Sequence, residues 1–319
     1  LRVIATVSLL GLAVAAPALG QESDGDMMAA DDETVLPPPP PPAVPGLSVI
    51  SSADDAVPPL RRKRKLPEDP YAPTGLRQGG LTFFPTLEIG SVLTSNVAQS
   101  PGGGDGDVGL RLKPGLRLES NWSRHRLTAT ASGEVVRYLD EDDLSSAGAD
   151  VQAQLRLDVR HGTWIDFENG YTLTSTGASN TEVPDTATGN RLSHEFRTSA
   201  GVTHEAAFAD TQFKVGLRRN LFEDVALSGG GSEDNSDRNY TELGISLRGT
   251  FNRGAVIRPF AEVAYAPRFH VKSDDRNGLK RVSHGVSATL GLRIDDDPLW
   301  SGEAGVTYLV RDYEDPTLD

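Results

Sequence analysis

The feature that most limits what this chain can fold into is a strict alternation of apolar and polar residues. In the segment VGLRLKPGLRLE, residues 108–119, each even position is apolar or Pro and each odd position is Gly or charged. A repeat of two residues is typical of a β-strand with one apolar and one polar face. The pattern recurs about eleven times between residues 81 and 313, which predicts an all-β protein.

The connections between the predicted strands alternate in length. The strands are predicted at 81–94, 108–120, 126–139, 149–160, 164–175, 191–203, 211–222, 238–251, 256–269, 282–294 and 300–312. Short links follow every second strand, at 121–125, 161–163, 205–210, 252–255 and 295–299. Long loops rich in Gly, Asp and Ser follow the other strands, at 95–107, 140–148, 176–190, 223–237 and 271–281. Short turns on one side and long loops on the other are typical of an outer-membrane barrel. Residues 81–319 are therefore predicted to form an antiparallel up-and-down transmembrane β-barrel, with strands long enough to cross at a tilt.

The composition fits a protein with a wet interior. Hydrophobic residues make up 37% of the chain, and the mean hydropathy is −0.34. Beyond the N-terminus no run of 18 apolar residues offers a helical membrane span. The chain has no Cys, so it has no disulfide and no Cys-ligated metal. Its net charge of −14 argues against nucleic acid as a partner.

Two segments precede the predicted barrel. Residues 1–20 are predicted to be a secretory signal peptide, because 3–16 are almost wholly apolar and 18–20 offer small residues for cleavage. The alternative is a buried helix. Residues 21–80 are predicted to be a disordered, Pro-rich periplasmic tether with a six-proline run at Pro37–Pro42. The basic cluster at 61–65 would be solvated or would contact anionic headgroups or a partner. The chain begins with Leu, so either its start is unusual or its N-terminus is incomplete.

The strand count bears on how the barrel closes. In hydrocarbon every strand N–H and C=O needs a partner, so a membrane sheet closes on itself, and bacterial barrels have an even strand number. Eleven strands are predicted, and the last one runs outward without a terminal aromatic residue. We therefore expect this chain to be a C-terminally incomplete barrel.

Aromatic residues concentrate near the predicted strand ends. The Trp residues lie beside short turns and most Tyr residues lie towards long loops, as expected for girdles at the two membrane interfaces. The predicted girdle residues are Trp122, Trp164, Trp300, Tyr138, Tyr171, Tyr240, Tyr265 and Tyr308. The alternative is chance placement in a β-rich chain.

If the apolar face contacts lipid, the polar face lines the lumen. The sixteen bases of this parity are Arg111, Lys113, Arg117, Arg126, Arg156, Arg160, Arg191, Arg197, Lys214, Arg218, Arg238, Arg248, Arg258, Arg268, Arg293 and Arg311. The eleven acids are Glu88, Glu119, Glu134, Asp150, Asp158, Asp166, Glu168, Glu195, Glu242, Glu262 and Glu303. Positive charge along a pore wall favours anions, and Arg111, Lys113 and Arg117 on one strand are the strongest candidates. The alternative is a ladder of mutually paired charges that holds the wall rigid.

The sequence contains no pattern that predicts catalysis. Its six His residues are scattered, with no H-x-H or H-x-x-x-H spacing, and it has no G-x-S-x-G motif or P-loop. The acidic run at 140–143 would gather a divalent cation near lipopolysaccharide or, more simply, form a solvated loop. We expect no enzyme activity, no cofactor and no metal.

Two segments resemble a known family. They are DPYAPTGLRQGGLTFFPTLEIGSVLTSNV, residues 69–97, and LRLESNWSRHRLTATASGEVVRYLDEDD, residues 116–143. The D-P-Y-A-P-x-G lead-in, the LTFFPTLE first strand and the S-x-W-S-R-H turn resemble the outer-membrane β-barrel porins, in the second family of that label. The resemblance implies an outer-membrane barrel with no catalytic residues. Some members resemble barrels that accompany exopolysaccharide export, which implies a polymer conduit. The Pro-rich leader and the early end depart from the family.

The sequence thus predicts a porin-like protein in the outer membrane of a Gram-negative bacterium. It would pass or guide a solute, with an anionic exopolysaccharide as the leading hypothesis. Its expected partners are outer-membrane lipid, lipopolysaccharide and a periplasmic polysaccharide-export protein, and its oligomeric state is open. Two alternatives remain: a plugged structural or adhesive envelope barrel, and a soluble all-β binding protein.

Overall fold

Eleven long antiparallel strands dominate the fold. The computed structural model describes residues 2–9 by their backbone alone, together with 73–97, 104–141, 144–177, 180, 183–184, 186–251, 254–294 and 301–318. The strands are β1 (Arg2–Leu9), β2 (Leu76–Gln78), β3 (Leu81–Thr94), β4 (Asp107–Ser120), β5 (Arg126–Tyr138), β6 (Ser146–Arg160), β7 (Thr163–Thr176), β8 (Arg191–Glu205), β9 (Ala209–Phe222), β10 (Val225–Ala226), β11 (Ser232–Glu233), β12 (Tyr240–Phe251), β13 (Ile257–His270), β14 (Ser283–Ile294) and β15 (Gly302–Tyr313). All eleven predicted strands are confirmed, and each observed end lies within three residues of the predicted one.

The long strands form one sheet with up-and-down topology. Thirteen strands pair in the order β1-β15-β14-β13-β12-β9-β8-β7-β6-β5-β4-β3-β2, and every neighbouring pair is antiparallel. β10 and β11 form a small separate hairpin within the loop between β9 and β12. β1 and β2 are the two edges, and no pairing joins them among the described residues.

The alternation of short and long connections is also confirmed. The link between β6 and β7 consists of His161 and Gly162 alone, and the φ of +71° at Gly162 lies in the left-handed region that favours Gly. A register shift between Asp158 and Arg160 precedes this turn. Such a bulge adds one residue to one strand and reverses the face of the residues beyond it.

The predicted N-terminal segments lie mostly outside the described residues, which omit 10–72 and therefore the six-proline run and the basic cluster. Arg2–Leu9 forms β1 and pairs with β15. Leu76–Gln78 pairs with Leu81–Phe83, so the predicted tether boundary at residue 80 is wrong, because β2 already belongs to the sheet. The signal peptide remains a prediction. Within the described part of the chain, no helix is long and apolar enough to cross a membrane.

The polarity of the two faces of the sheet is inverted relative to that of a soluble protein. On the outer face, Leu290 and Val306 are paired across β14 and β15 and are 68% and 56% exposed. On the inner face, Glu242 is fully buried and Arg248 is 6% exposed. A soluble β-sandwich buries its apolar side chains and exposes its charges. The inversion favours a sheet whose outer face meets an apolar medium.

Ion pairs between non-adjacent strands show that the inner face is concave. Arg248 on β12 donates to Glu303 on β15 at 2.6 Å, although β13 and β14 lie between them. Adjacent strands lie ~4.8 Å apart, so a flat sheet would separate these backbones by ~14 Å. Lys214 on β9 likewise reaches Glu168 on β7 at 2.7 Å, across β8. The sheet therefore curls around its polar face.

Candidate functional site on the inner face

Cross-strand registers place the predicted lumen bases on the inner face, with two exceptions. The bulge pairs Arg160 with Thr163, which places both residues on the outer face. Arg160 Nε donates to Thr163 Oγ1 at 3.2 Å. Arg238 lies in a short 3₁₀ helix, Ser236–Arg238, within a long loop. The sequence-based placement of these two residues in the lumen wall is therefore wrong.

A recount from the registers removes the predicted excess of bases. Among the described residues of the eleven long strands, the inner face carries fourteen bases and fourteen acids, and Arg77 on the short edge strand β2 adds one base. Asp107, Glu205 and Asp210, which lie at or beside strand ends, join the eleven predicted acids. The wall formed by the long strands is therefore balanced in charge.

The three bases on β4 that sequence reasoning favoured for anion selectivity are paired with acids. Arg111 Nε and Lys113 Nζ lie 2.7 Å and 3.3 Å from the two carboxylate oxygens of Glu134. Arg117 lies 3.1 Å from Glu119. All of these side chains are also at least one-third exposed, so they form a solvated ladder. This part of the wall agrees with the alternative of mutually paired charges.

A second group lies near the short-turn ends of β12, β13 and β15, and we name it the Arg248 cluster. Its members are Arg248, Phe260, Glu262 and Glu303. Arg248 donates to both oxygens of Glu303, at 3.0 Å and 2.6 Å, and lies 3.6 Å from Glu262. Its guanidinium sits 3.8 Å from the centre of the Phe260 ring. The buried contacts of the cluster link three strands, as expected of residues that stabilise the sheet.

Towards the long loops, one cross-strand row carries more bases than acids. Arg197, Arg218, Glu242 and Arg268 are direct partners on the adjacent strands β8, β9, β12 and β13. We name these four residues the basic row. Two like charges stand directly opposite each other at Arg197 and Arg218, and Glu195 lies 3.3 Å and 3.8 Å from them. Opposed like charges destabilise a sheet, so a further negative charge beside Arg197 and Arg218 would stabilise it.

Buried polar atoms beside the basic row lack hydrogen-bond partners. Arg268 donates to Glu242 Oε2 at 2.8 Å, and Arg311 lies 3.8 Å from the same oxygen. Within the described residues, Glu242 Oε1, Arg218 Nε and Arg311 Nε are buried without a hydrogen-bond partner. Unsatisfied buried donors are rare because each costs free energy. A bound anion or water would satisfy the arginine donors.

Small residues leave space beside the basic row. Two residues further along each strand, the inner face carries small residues. They are Gly216 on β9, Gly244 on β12, Ala266 on β13 and Gly285 on β14. A Cβ at Gly285 would approach Arg311 Nη2 to 2.9 Å. The guanidinium therefore lies over glycine, and a larger side chain there would displace it.

The predicted aromatic girdle is only partly on the outer face. Tyr171, Tyr265 and Tyr308 lie on the outer face by register. Trp122 lies in the short turn between β4 and β5 and is exposed. Trp300 lies outside the described residues.

Three other predicted girdle residues face inward. Tyr138 pairs with Gly109 on the inner face, and Trp164 Nε1 donates to Asp166 at 2.8 Å. Tyr240 lies under the Arg268 guanidinium, 4.5 Å from ring centre to carbon. Their assignment to the lipid interface is wrong, because they share the parity of the wall charges.

The long loops beyond β9 and β13 are joined by ion pairs. Arg276 contacts Glu233 at 2.6 Å and Asp237 at 3.2 Å, and Lys272 contacts Asp234 at 2.6 Å. Hydrogen bonds from Lys272 and Ser236 hold the pKa of the Asp234 carboxyl well below its ordinary value. Burial alone would raise the pKa of Asp237, but the Arg276 hydrogen bonds outweigh it and lower that pKa.

The described residues contain no group of three or more His, Asp or Glu side chains placed to hold a metal ion. Two of the scattered His residues instead lie on the outer face, each beside a Tyr. His194 Nδ1 lies 3.0 Å from the Tyr171 hydroxyl, and His284 Nδ1 lies 2.8 Å from the Tyr265 hydroxyl.

Comparison with known families fits this geometry. Residues 69–319 match the family described as Putative beta-barrel porin 2. The chain belongs to this β-barrel porin family. The sheet is therefore the wall of a β-barrel, and the family indicates an outer-membrane location. A search of curated proteins finds no match. The match begins at residue 69, before the predicted barrel boundary at 81, which agrees with the place of β2 in the sheet.

Proposed function

We propose that this porin-like barrel passes anionic solutes across the outer membrane of a Gram-negative bacterium, which it reaches by means of a signal peptide. The observation that carries the proposal is the basic row, with three arginines and one glutamate on four adjacent strands. Fixed positive charge on a low-dielectric wall lowers the barrier for anions and raises it for cations. The row would set the preference at its own level of the lumen, because bases outnumber acids there.

The finer hypothesis for the cargo is an acidic polysaccharide. A row that crosses four strands offers several guanidinium groups to successive carboxylates of one polymer. Guanidinium and carboxylate groups match in geometry as well as in charge. A periplasmic polysaccharide-export protein as partner belongs to this same hypothesis.

Reversal potentials across a planar bilayer with a salt gradient test the proposal. We expect the protein to prefer anions, and Arg218→Gln with Arg268→Gln to weaken that preference. Arg117→Gln is the matched control, because Arg117 lies on the same inner face but far along the sheet on β4, where it is solvated and paired with Glu119. A cation-selective pore, or equal effects of the test and control variants, would refute the role of the basic row. Block of the current by a polyuronate but not by a neutral dextran would support the polymer cargo.

A structural barrel with a closed lumen is the second candidate. The Arg248 cluster favours it, because its buried ion pair spans two intervening strands. A protein that inserts into bilayers and resists extraction without detergent, yet conducts no ions, would decide for this candidate.

A further inference from the structure

An arginine stands on the outer face of the sheet, where the wall of a porin-family barrel meets lipid. Arg219 pairs with Phe196 on one side and Thr241 on the other, and it alternates along β9 with the inner-face residues Arg218 and Asn220. The side chain is exposed. It makes no hydrogen bond or ion pair within the described part of the chain, so its charge has no protein counterion there.

The position of Arg219 along its strand sets the depth at which it meets lipid. β9 ends at Phe222, three residues further towards the long loop. A lone arginine on a lipid face costs several kcal/mol at the midplane but little near an interface, where the long side chain extends to the headgroups. Arg219 is therefore suited to the headgroup level on the long-loop side.

Aromatic residues flank this arginine in the same cross-strand row. Tyr171, Phe196, Arg219, Thr241 and Phe269 are successive partners on β7, β8, β9, β12 and β13. The Tyr171 and Phe196 ring centres are 5.0 Å apart. Amphipathic rings at this level anchor a barrel at the membrane interface. The row thus combines an interface belt with one unpaired cation.

A shallow groove runs down the outer face from this row. Val151, Ala153, Tyr171, Phe196 and Leu217 supply apolar walls. The groove also contains a polar pair, in which Thr198 Oγ1 donates to Asn169 Oδ1 at 2.8 Å. Asn169 lies near the middle of β7, where hydrocarbon offers no partner for its amide nitrogen. A ligand here would have an acyl chain with polar groups along it, below a charged headgroup.

We propose that Arg219 and this groove bind the phosphorylated lipid of the outer leaflet, the lipid A part of lipopolysaccharide. Arg219 would pair with a lipid phosphate, since guanidinium and phosphate form charge-assisted and often bidentate hydrogen bonds. One acyl chain would lie in the groove against Phe196 and Leu217. Arg219, Phe196 and Leu217 lie on the opposite face from the side chains of the basic row, so this binding does not depend on whether the lumen conducts.

The test measures binding of bisphosphorylated lipid A to the full chain in a non-ionic detergent, by native mass spectrometry and by the shift in unfolding temperature. We expect Arg219→Gln to weaken binding about tenfold or more, as loss of a charge-assisted contact would. Phe196→Ala should weaken it as well. Arg160→Gln is the matched control, because Arg160 is also exposed on the outer parity but at the short-turn rim. That control should bind lipid A as the unaltered chain does.

Two further probes separate the sources of the phosphate. Dephosphorylated lipid A should bind the unaltered chain as weakly as bisphosphorylated lipid A binds the Arg219→Gln variant. Equal affinity of that variant and the unaltered chain would overturn the proposal. Full competition by inorganic phosphate at the same concentration would overturn the lipid assignment. A stable dimer that Asn169→Ala dissociates would also overturn it, because the groove would then bind a second copy of the chain. Conductance does not enter the readout, so a silent pore leaves this test intact.

Discussion

Removing the Arg248 guanidinium is expected to destabilise the barrel more than removal of any exposed wall charge. Arg248 and Glu303 are 7% and 18% exposed in their side chains and share two hydrogen bonds, at 3.0 Å and 2.6 Å. Two unit charges ~4 Å apart attract by about 4 kcal/mol at an effective dielectric constant of 20. Arg248→Met removes the guanidinium that shares two hydrogen bonds with Glu303, and breaking a buried pair in this way costs about 3–5 kcal/mol. Loss of the contact with Phe260 contributes about 0.5–2 kcal/mol of this effect.

A double-mutant cycle isolates the pair from these other losses. Arg248→Met, Glu303→Gln and the double variant would be unfolded in urea from lipid vesicles, with tryptophan fluorescence as the signal. We expect a coupling free energy of about 1.5–4 kcal/mol, in the range of close, desolvated charge pairs.

The control cycle uses Arg117 and Glu119, whose side chains are 52% and 46% exposed at 3.1 Å. That pair should show a coupling of about 0–1 kcal/mol, because solvent screens it. Equal couplings in the two cycles would refute the reasoning, since they would mean that the inner face of β12–β15 is as solvated as that of β4.

Two further perturbations test the outer face and the loops. Leu290→Arg should cost about 2–4 kcal/mol in a bilayer if residue 290 lies near the midplane, whereas Thr289→Arg on the inner face should cost less, and urea unfolding from vesicles compares them. Arg276→Gln should expose the loop between β9 and β12 to external protease on intact cells, and unchanged protection would contradict the role of its ion pairs. The pKa values of Asp234 and Asp237 in the folded protein lie below the ordinary carboxyl value of ~3.9. The stability that their ion pairs contribute is therefore present above about pH 3.9 and is lost as the pH falls through the lower, folded pKa values. Pepsin should therefore spare this loop at about pH 4, where both carboxyl groups of the folded protein are charged.

The strands and their faces were predictable because a period of two is a local property of the sequence. Alternation alone placed all eleven strands and assigned the faces of residues such as Leu157 and Arg248. It failed at Arg160, because a bulge shifts the register by one residue without a signal in the alternation. Trp164 shares the inward-facing alternation of Asp166 along β7, and its place beside a turn does not change that face.

The partners of the wall charges could not be predicted from the same pattern. The basic row exists because turn geometry sets Arg197 opposite Arg218 and Glu242 opposite Arg268, and turn geometry is not encoded in alternation. The Arg248 contact with Glu303 depends on the curvature of four strands together. The predicted excess of bases over acids was wrong for a related reason, because Asp107, Glu205 and Asp210 lie at strand ends that periodicity defines poorly.

The central claim is that the apolar face of this sheet contacts lipid and the polar face does not. The chain has no native Cys, so single cysteines at Leu290 and Thr289, neighbours on β14 with opposite faces, can carry one fluorescent label each. The labelled protein, reconstituted into vesicles, would be measured with brominated acyl chains as quencher. We predict strong quenching at residue 290 and weak quenching at residue 289, whether the lumen is open or closed. Equal quenching at the two positions, or stronger quenching at residue 289, would contradict the account.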